Sequence, residues 1–244
     1  MRERYASQYA ALYRGHWWWR ARERFLRGVL RSLPLGTGLG PILDVGCGDG
    51  LFFEALEAWG APEGVEADGA LVTDAGRSRG PIHVGPFDET FAPDHRYALI
   101  TALDVLEHAP DEAAFLARAR ALLTGDGLLV LTVPAFPWLW THHDDLNHHR
   151  IRYTKATLRA AAAAADLELL RLEYFFGWTV PVKLLVRLKE ALAAPGAEEV
   201  SIPPAPVNGL LEAACRAEQA VARWTGLPAG SSLLAVLRRG GGAA

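Results

Sequence analysis

The chain has 244 residues, half of them hydrophobic, and its formal net charge of −3 at pH 7 gives no electrostatic case for nucleic-acid binding. Its two cysteines exclude a disulfide framework, and no run of about twenty apolar residues predicts a membrane span. The first residues do not resemble a signal peptide, so we expect a soluble, cytoplasmic protein with one α/β domain and added segments.

Residues 1–40 are predicted to form an N-terminal helical lid followed by a linker. The triple tryptophan Trp17–Trp19 is costly to leave in water, so it should pack either on the main domain or over a pocket. Both interpretations stay open, and in the second one Arg20 or Arg22 meets an anionic group. Glycine and proline dominate the end of this segment, which places the start of the core at Pro41.

The most informative stretch is 42–50, which reads I-L-D-V-G-C-G-D-G. It predicts a short buried strand that turns on three alternate glycines into a helix over residues 51–59. Such a turn presents bare backbone N–H groups and the positive end of a helix dipole, and glycine lets a ligand approach them. The spacing departs from the dinucleotide fingerprint G-x-G-x-x-G, and there is no Gly-Lys-Ser/Thr for a nucleoside triphosphate. Asp44 would repel phosphate and favours a ligand with a cationic or hydroxyl-rich end.

Two carboxylates lie at the end of the second predicted strand. Glu66 follows the glycines by about twenty residues, where a carboxylate is expected to accept hydrogen bonds from both hydroxyls of a ribose. Asp68 is the alternative for this role. A weaker third strand then leads to Phe87 and Asp88.

A loop rich in histidine and aspartate forms the second informative stretch, residues 134–153. It follows an uninterrupted apolar run, 128–133, that suits a strand in the middle of a parallel sheet. The loop therefore lies beyond the carboxyl end of a strand, where open α/β sheets bind their ligands. A general-base and acceptor-binding loop, a metal site and a polar surface loop are the three interpretations left open, and we expect no metal.

The C-terminal part of the chain is predicted to hold a strand over 167–176, a helical insertion over 177–229 and a final strand within 230–244. The first helix of the insertion, 180–192, is basic and amphipathic and lies beside Trp178. A membrane surface or lipid-linked substrate is one partner for it, while a cap over the pocket or a dimer contact is the favoured alternative.

Several of these segments together resemble class I S-adenosylmethionine (SAM)-dependent methyltransferases of a bacterial small-molecule group. The resemblance rests on D-V-G-C-G-D-G at 44–50, H-W-W-x-x-x-R at 16–22 and D-V-L-E-H at 104–108. It also rests on W-x-x-H-D-x-x-x-x-H-x-x-R-Y at 140–153 and L-P-x-G-x-S-L at 227–233, so it covers nearly the whole chain.

The resemblance implies a Rossmann-like, doubly wound sheet of seven mostly parallel strands whose last strand is antiparallel, with the SAM-binding core over residues 41–176. It also implies roles for particular residues. For SAM, with S-adenosylhomocysteine as product, the expected contacts are Asp44, Gly46, Cys47, Gly48, Glu66, Ala67, Phe87, Asp88, Leu103 and Asp104. For catalysis they are His143 or His149 as general base, oriented by Asp144; for the acceptor they are Trp18, Arg22, His108, Arg152 and Tyr153.

The expected function is transfer of the SAM methyl group to a small-molecule acceptor, most simply to a hydroxyl. The expected protein is a monomer or homodimer that does not bind nucleic acid. A non-catalytic SAM-binding protein, an NAD-dependent oxidoreductase and a decarboxylating or aminopropyl-transferring relative on the same fold are the alternatives left open.

Overall fold

The computed structural model describes residues 2–192 and 201–241, with the backbone alone described for residues 2–8. Its strands form one seven-stranded sheet in the order β3-β2-β1-β4-β5-β7-β6. The strands are β1 (Pro41–Val45), β2 (Ala61–Glu66), β3 (Ile82–Val84), β4 (Tyr97–Leu103), β5 (Leu123–Pro134), β6 (Leu167–Phe175) and β7 (Ser232–Arg239). β1 runs parallel to β2 and β4, and β7 runs antiparallel to both β5 and β6. The predicted sheet with its antiparallel last strand is confirmed.

The helices alternate with these strands, as a doubly wound sheet requires. They are α1 (Arg2–Gly15), α2 (Trp17–Ser32), α3 (Phe53–Leu56), α4 (Asp74–Arg77), α5 (Glu112–Leu122), α6 (His142–Leu146), α7 (Lys155–Ala164), α8 (Thr179–Leu192) and α9 (Ala205–Thr225). α3 has only four residues, although the sequence predicts a helix over 51–59. It is short because Ala61 already begins β2, and backbone bonds from Leu39 to Trp59 and from Ala61 to Gly40 hold the intervening turn.

Apolar runs explain which strands lie in the interior. Leu99, Ile100 and Ala102 of β4 are fully buried, and so are all residues from Leu233 to Leu237 of β7. A strand covered on both faces needs apolar side chains at every position, whereas a strand with a solvated face also carries polar ones. β6 shows mixed burial along its length, as expected at the edge of the sheet.

The described chain divides into two compact units. The first contains residues 2–102, 122–127 and 201–216. Within it, Asn208 of α9 accepts a hydrogen bond from the backbone N–H of Trp17 (2.9 Å) and donates one to the carbonyl of Gly15 (2.9 Å). The junction of α1 and α2 is therefore fastened to α9, a segment that lies far away in the sequence.

The second unit contains residues 103–121, 128–192 and 217–241. Its helix α8 exposes apolar side chains, with Leu185 at 67% and Leu192 at 80% exposure. Its polar side chains make the contacts with the unit: Arg187 donates to the carbonyl of Trp138, and Glu190 accepts from the N–H of His142 (3.1 Å). The apolar stripe of this amphipathic helix thus faces outward.

The predicted domain boundaries cut across these units, since the 177–229 insertion contributes to both, and the boundaries stay predictions. Its residues 193–200 lie outside the described part of the chain, as do residue 1 of the predicted lid and residues 242–244 of the predicted tail. Within the described ranges, no helix is both long enough and apolar enough to cross a membrane.

Candidate functional site

The glycine turn after β1 occupies the left-handed region of backbone space. Gly46, Gly48 and Gly50 have φ values of 68°, 54° and 66°, which residues with a Cβ rarely adopt. A Cβ built on Gly48 meets no described atom within 4 Å, so this part of the loop borders open space. Cys47 points the other way and is buried against Gly64, and burial raises the pKa of its thiol. The open side of the turn at Gly48 therefore carries no side chain, while Cys47 packs inward.

Glu66 braces this turn from the end of β2. Its Oε2 accepts a hydrogen bond from the N–H of Gly48 (2.8 Å), and its Oε1 accepts one from the N–H of Asp68 (2.9 Å). Each carboxylate oxygen has more than one acceptor direction, so a ligand can still bind the same group. Asp68 is the alternative candidate for binding the ribose, and its Oδ1 accepts a hydrogen bond from the N–H of Ala70 (2.9 Å). The geometry favours Glu66 because it is fixed directly to the glycine turn.

Asp44 is a buried carboxyl just before the turn. It accepts a hydrogen bond from the hydroxyl of Thr101 on β4 (2.6 Å). Burial raises the pKa of Asp44 to about 7, although the Thr101 hydroxyl and the nearby Arg22 oppose the shift. A cationic group placed beside Asp44 would favour the ionised form.

Asp49 is a structural residue of the loop that the sequence did not identify. Its Oδ1 accepts from the N–H and the hydroxyl of Thr73 (both 2.8 Å), and Oδ2 accepts from Arg79 (2.8 Å). Burial acts to raise the pKa of Asp49, but these donors outweigh it and hold the pKa below its ordinary value. The second aspartate of D-V-G-C-G-D-G was the available signal, since a polar side chain inside a tight turn needs local partners.

The remaining predicted cofactor residues of the first unit lie at the ends of β2 and β3. Ala67 is exposed directly after Glu66. Phe87 is half-buried with its ring 6.2 Å from that of Phe91, and the carboxylate of Asp88 accepts from the N–H of Thr90 (2.8 Å). Their contacts with SAM stay predictions.

Leu103 and Asp104 belong to the second unit. Asp104 has a φ of 59°, unusual for a residue with a side chain, and two bonds hold it there. Its N–H donates to the carbonyl of Thr132 (3.0 Å), and its carboxylate accepts from the Thr132 hydroxyl (3.1 Å). The D-V-L-E-H segment thus begins at a constrained backbone position.

Asp144 is the centre of the histidine-rich loop. The side chain is fully buried and accepts a two-pronged pair from Arg152, with Nε at 2.8 Å and Nη2 at 2.9 Å. It also accepts from the N–H of Thr141 (2.8 Å) and from Nδ1 of His149 (2.8 Å). Burial acts to raise the pKa of Asp144, but His149 and Arg152 together hold it below the ordinary value. Asp144 is therefore an ionised carboxylate that fixes three segments of the loop.

His149 is the histidine that Asp144 orients. Its ring lies edge-on to that of His108, with centroids 4.8 Å apart. Possible ligand atoms of Glu107, His108 and His149 all lie within 4.8 Å of one another. One carboxylate and two imidazoles form a donor set that suits a divalent metal. The expectation that the protein binds no metal can therefore be tested at this cluster.

His143 has different surroundings from His149. Loss of hydration lowers the pKa of His143, and the positive charge of Lys183 lowers it further. Burial lowers the pKa of Lys183 itself to about 8. Asp144 orients His149 and not His143, and this separates the two base candidates that the sequence left equal.

The predicted acceptor residues lie in several environments. Arg152 and Tyr153 are buried, and Arg152 also donates to the carbonyl of Ala135 (2.9 Å). This burial favours a positioning role for both, and their contact with an acceptor stays a prediction. In the first unit, the guanidinium of Arg22 lies 5.5 Å from the ring centroid of Trp18, so these two expected acceptor residues contact each other.

Comparison with known proteins identifies relatives of this chain. The family model described as a methyltransferase domain matches residues 17–172, more than half of the chain. A ubiquinone biosynthesis O-methyltransferase of Bradyrhizobium diazoefficiens is 33% identical over 122 residues, which cover 48% of this chain and 47% of the relative. The chain therefore spans about half the length of the curated relatives it matches.

Solved structures share the fold at low sequence identity. An S-adenosylmethionine-dependent methyltransferase from Clostridium acetobutylicum is 11% identical with a TM-score of 0.60, and the match covers 98% of both chains. A chain from the complex between the Haloferax volcanii Trm112 methyltransferase activator and a proposed methyltransferase is 16% identical with a TM-score of 0.64, again over 98% of both chains.

Replacing Asp144 by asparagine removes the charge that Arg152 and His149 bind while keeping the side-chain size. We expect the free energy of unfolding at pH 7 to fall by about 3 kcal/mol, because a buried cation loses its partner. The matched control is Asp145→Asn on the same helix, whose exposed carboxylate should be worth about 0.5 kcal/mol or less. Urea denaturation measures both variants.

The stabilisation that Asp144 contributes through Arg152 and His149 depends on pH, and the sign of this dependence follows from the pKa of Asp144. The pKa of Asp144 is lower in the folded protein than in the unfolded chain, so its stabilisation is full above a pH of about 4 and is lost as the pH falls further. Wild type and Asp144→Asn should therefore converge in stability under acid conditions. Equal midpoints for Asp144→Asn and Asp145→Asn at pH 7 would contradict the assignment.

Proposed function

The chain belongs to the methyltransferase domain family and is a class I SAM-dependent methyltransferase, and from that premise we propose that it methylates a hydroxyl group of a small-molecule acceptor. The general base in this proposal is His149, and Asp144 is the residue that orients it. The curated relatives named as ubiquinone biosynthesis O-methyltransferases support the choice of a small-molecule oxygen acceptor.

The contact between Asp144 and His149 carries the proposal. The ionised carboxylate accepts the hydrogen on Nδ1 of His149 across 2.8 Å, which leaves Nε2 to take a proton. A hydroxyl is a poor nucleophile until it loses its proton, and a histidine fixed by a carboxylate is suited to remove it. The ring keeps some accessibility, with 13% of its side chain exposed, so an acceptor can reach it.

The cofactor side of the proposal uses the glycine turn, Glu66 and Asp44. SAM supplies a methyl group on a positively charged sulfur, already activated toward in-line attack. Glu66 binds the two ribose hydroxyls, the open backbone at Gly48 lies against the methionine end, and Asp44 faces a cationic group. Holding two reactants in line is worth roughly 7–11 kcal/mol of the barrier, so positioning is the main task of these residues.

An aromatic stack in the second unit supports an acceptor with a flat ring. The rings of Phe136 and Trp138 are stacked with centroids 4.9 Å apart, and Phe136 stacks in the same way on Tyr174. Trp138 is 45% exposed, and an exposed aromatic face is a surface on which a ring packs well.

The outward apolar face of α8 supports the further part of this proposal, a peripheral contact with a membrane or a lipid-linked substrate. Leu185, Leu188 and Leu192 are exposed on it, and Lys189 lies on the same helix. Apolar side chains bordered by basic ones are typical of helices that lie on a membrane surface.

The experiment for this function offers the protein methyl-labelled SAM with ortho-dihydroxybenzenes and matched amines. We expect O-methylated products, identified by mass spectrometry. His149→Gln should lower kcat by about 10²–10⁴-fold because the base is lost, with KM for SAM within about threefold. Raising the pH toward 10 should reduce the difference in kcat between wild type and His149→Gln, since a phenol then ionises without a base.

Two controls keep this test specific. His143→Gln should leave kcat within about threefold, because Asp144 does not orient that ring. Wild type is also assayed with EDTA, since His149 lies in the cluster with Glu107 and His108. Methylation of the amines alone, or loss of wild-type activity in EDTA, would contradict the proposed base.

Asp44 predicts proton release on cofactor binding. Its pKa of about 7 leaves roughly half of the carboxyl groups protonated at pH 7, and a bound cation would lower that pKa. We expect SAM to displace up to about half a proton at pH 7, seen as a binding enthalpy that depends on the buffer. The effect should fall in Asp44→Asn; equal proton release in the two proteins would rule out this contact.

A further inference from the structure

A cavity lined by arginines lies in the first unit, apart from the residues assigned to SAM. Its volume is about 540 Å³, and α1, α2, α9 and the segment that follows α4 contribute to its wall. Seven arginines and three glutamates line it. This volume lies within the range of small-molecule sites.

The arginines of α2 share one face of that helix. Arg20, Arg24, Arg27 and Arg31 are spaced at i, i+4, i+7 and i+11, so they form a single stripe along the helix. The sequence alone favours a solvated basic face for them. In the fold this face lines the cavity instead.

One carboxylate holds several of these arginines. Glu212 of α9 is buried and pairs with Arg20 (2.9 Å), Arg24 (2.9 Å) and Arg216 (2.7 Å). Burial acts to raise the pKa of Glu212, but its arginine partners hold it below the ordinary value. A single negative charge thus fixes three guanidinium groups and does not neutralise them.

Of the other four arginines that line the cavity, two have acidic partners and two add to the excess of positive charge. Arg27 pairs with Glu23 (2.7 Å), and Arg79 pairs with Asp49 of the glycine turn (2.8 Å). Among the described residues, Arg14 and Arg31 form no ion pair, and both are exposed. The cavity is therefore lined by arginines that ion pairs hold in place, and by Arg14 and Arg31, whose exposed guanidinium groups are available to a ligand.

We propose that this cavity binds an anion with at least two linked phosphate groups. Guanidinium groups bind phosphate oxygens through paired N–H donors, and the three glutamates that line the cavity cannot neutralise its seven arginines. A diphosphate carries more oxygens than a single phosphate and can therefore bind more guanidinium groups at once. The cavity is larger than a diphosphate, which leaves room for the organic part of the molecule.

Calorimetry of the full chain with inorganic pyrophosphate at low salt tests this site. We expect pyrophosphate to bind at least about tenfold more tightly than orthophosphate, since it reaches more arginines. Arg14→Gln combined with Arg31→Gln should weaken pyrophosphate binding about tenfold or more. The matched control is Arg159→Gln combined with Arg223→Gln, which removes the same charge from exposed positions outside the cavity.

Two outcomes overturn the proposal. Pyrophosphate that binds no more tightly than orthophosphate would remove the diphosphate site. Equal weakening in the two double variants would mean that only the net charge matters. S-adenosylhomocysteine binding, measured on the same samples, should be unchanged in both double variants, so failure of this site is separate from failure of the proposed methyl transfer.

The source of the diphosphate is settled by two further arms. Uridine diphosphate represents a soluble ligand, and phosphatidylcholine vesicles that contain farnesyl diphosphate represent a lipid headgroup. Loss of either kind of binding in Arg14→Gln/Arg31→Gln, with retention in Arg159→Gln/Arg223→Gln, supports the cavity and identifies the source. Retention of both kinds of binding in Arg14→Gln/Arg31→Gln overturns it.

Discussion

The bond between the Glu66 carboxylate and the N–H of Gly48 is the contact on which the candidate cofactor site depends. Three glycines let the chain turn away from β1 through left-handed conformations. Such a turn is flexible unless hydrogen bonds from other segments hold it. Glu66 fixes it from β2, and Asp49 fixes it from the other side through Thr73 and Arg79. The open side of the turn is thereby held in one shape before any ligand arrives, which lowers the entropic cost of binding.

A second buried carboxylate organises the histidine-rich loop in the same manner. Asp144 gathers Thr141, His149 and Arg152, and its burial makes each of these bonds expensive to lose. The arrangement explains why a loop with four histidines singles out one of them. Orientation by a fixed carboxylate, and not the number of imidazoles, distinguishes His149 from the other three histidines and makes it the proposed base.

Local patterns in the sequence predicted the parts of this protein that local chemistry decides. The G-x-G-x-G spacing indicated the turn and apolar runs indicated the central strands, while the ribose contact of Glu66 stays a prediction. Contacts between distant segments were not predictable in this way. The ion pair between Asp49 and Arg79 joins residues 30 positions apart in the sequence, and the pair between Glu212 and Arg24 joins residues 188 positions apart. Neither leaves a periodic signal.

Helix α8 shows a different limit of sequence reasoning. Its pattern predicts which side chains share a face, but not which face the rest of the protein covers. Arg187 and Glu190 turn out to make the contacts with the loop, so the apolar face is left outward. The arginines of α2 had the same ambiguity, and only the position of α9 made them the wall of a cavity.

Calorimetric binding of S-adenosylhomocysteine to wild type, Glu66→Ala and Asp68→Ala, with NAD as control ligand, tests the central claim most directly. The account predicts micromolar binding to wild type, a loss of about tenfold or more in Glu66→Ala, and a change of less than about threefold in Asp68→Ala. No binding to a folded wild-type protein, or a greater loss in Asp68→Ala than in Glu66→Ala, would contradict it.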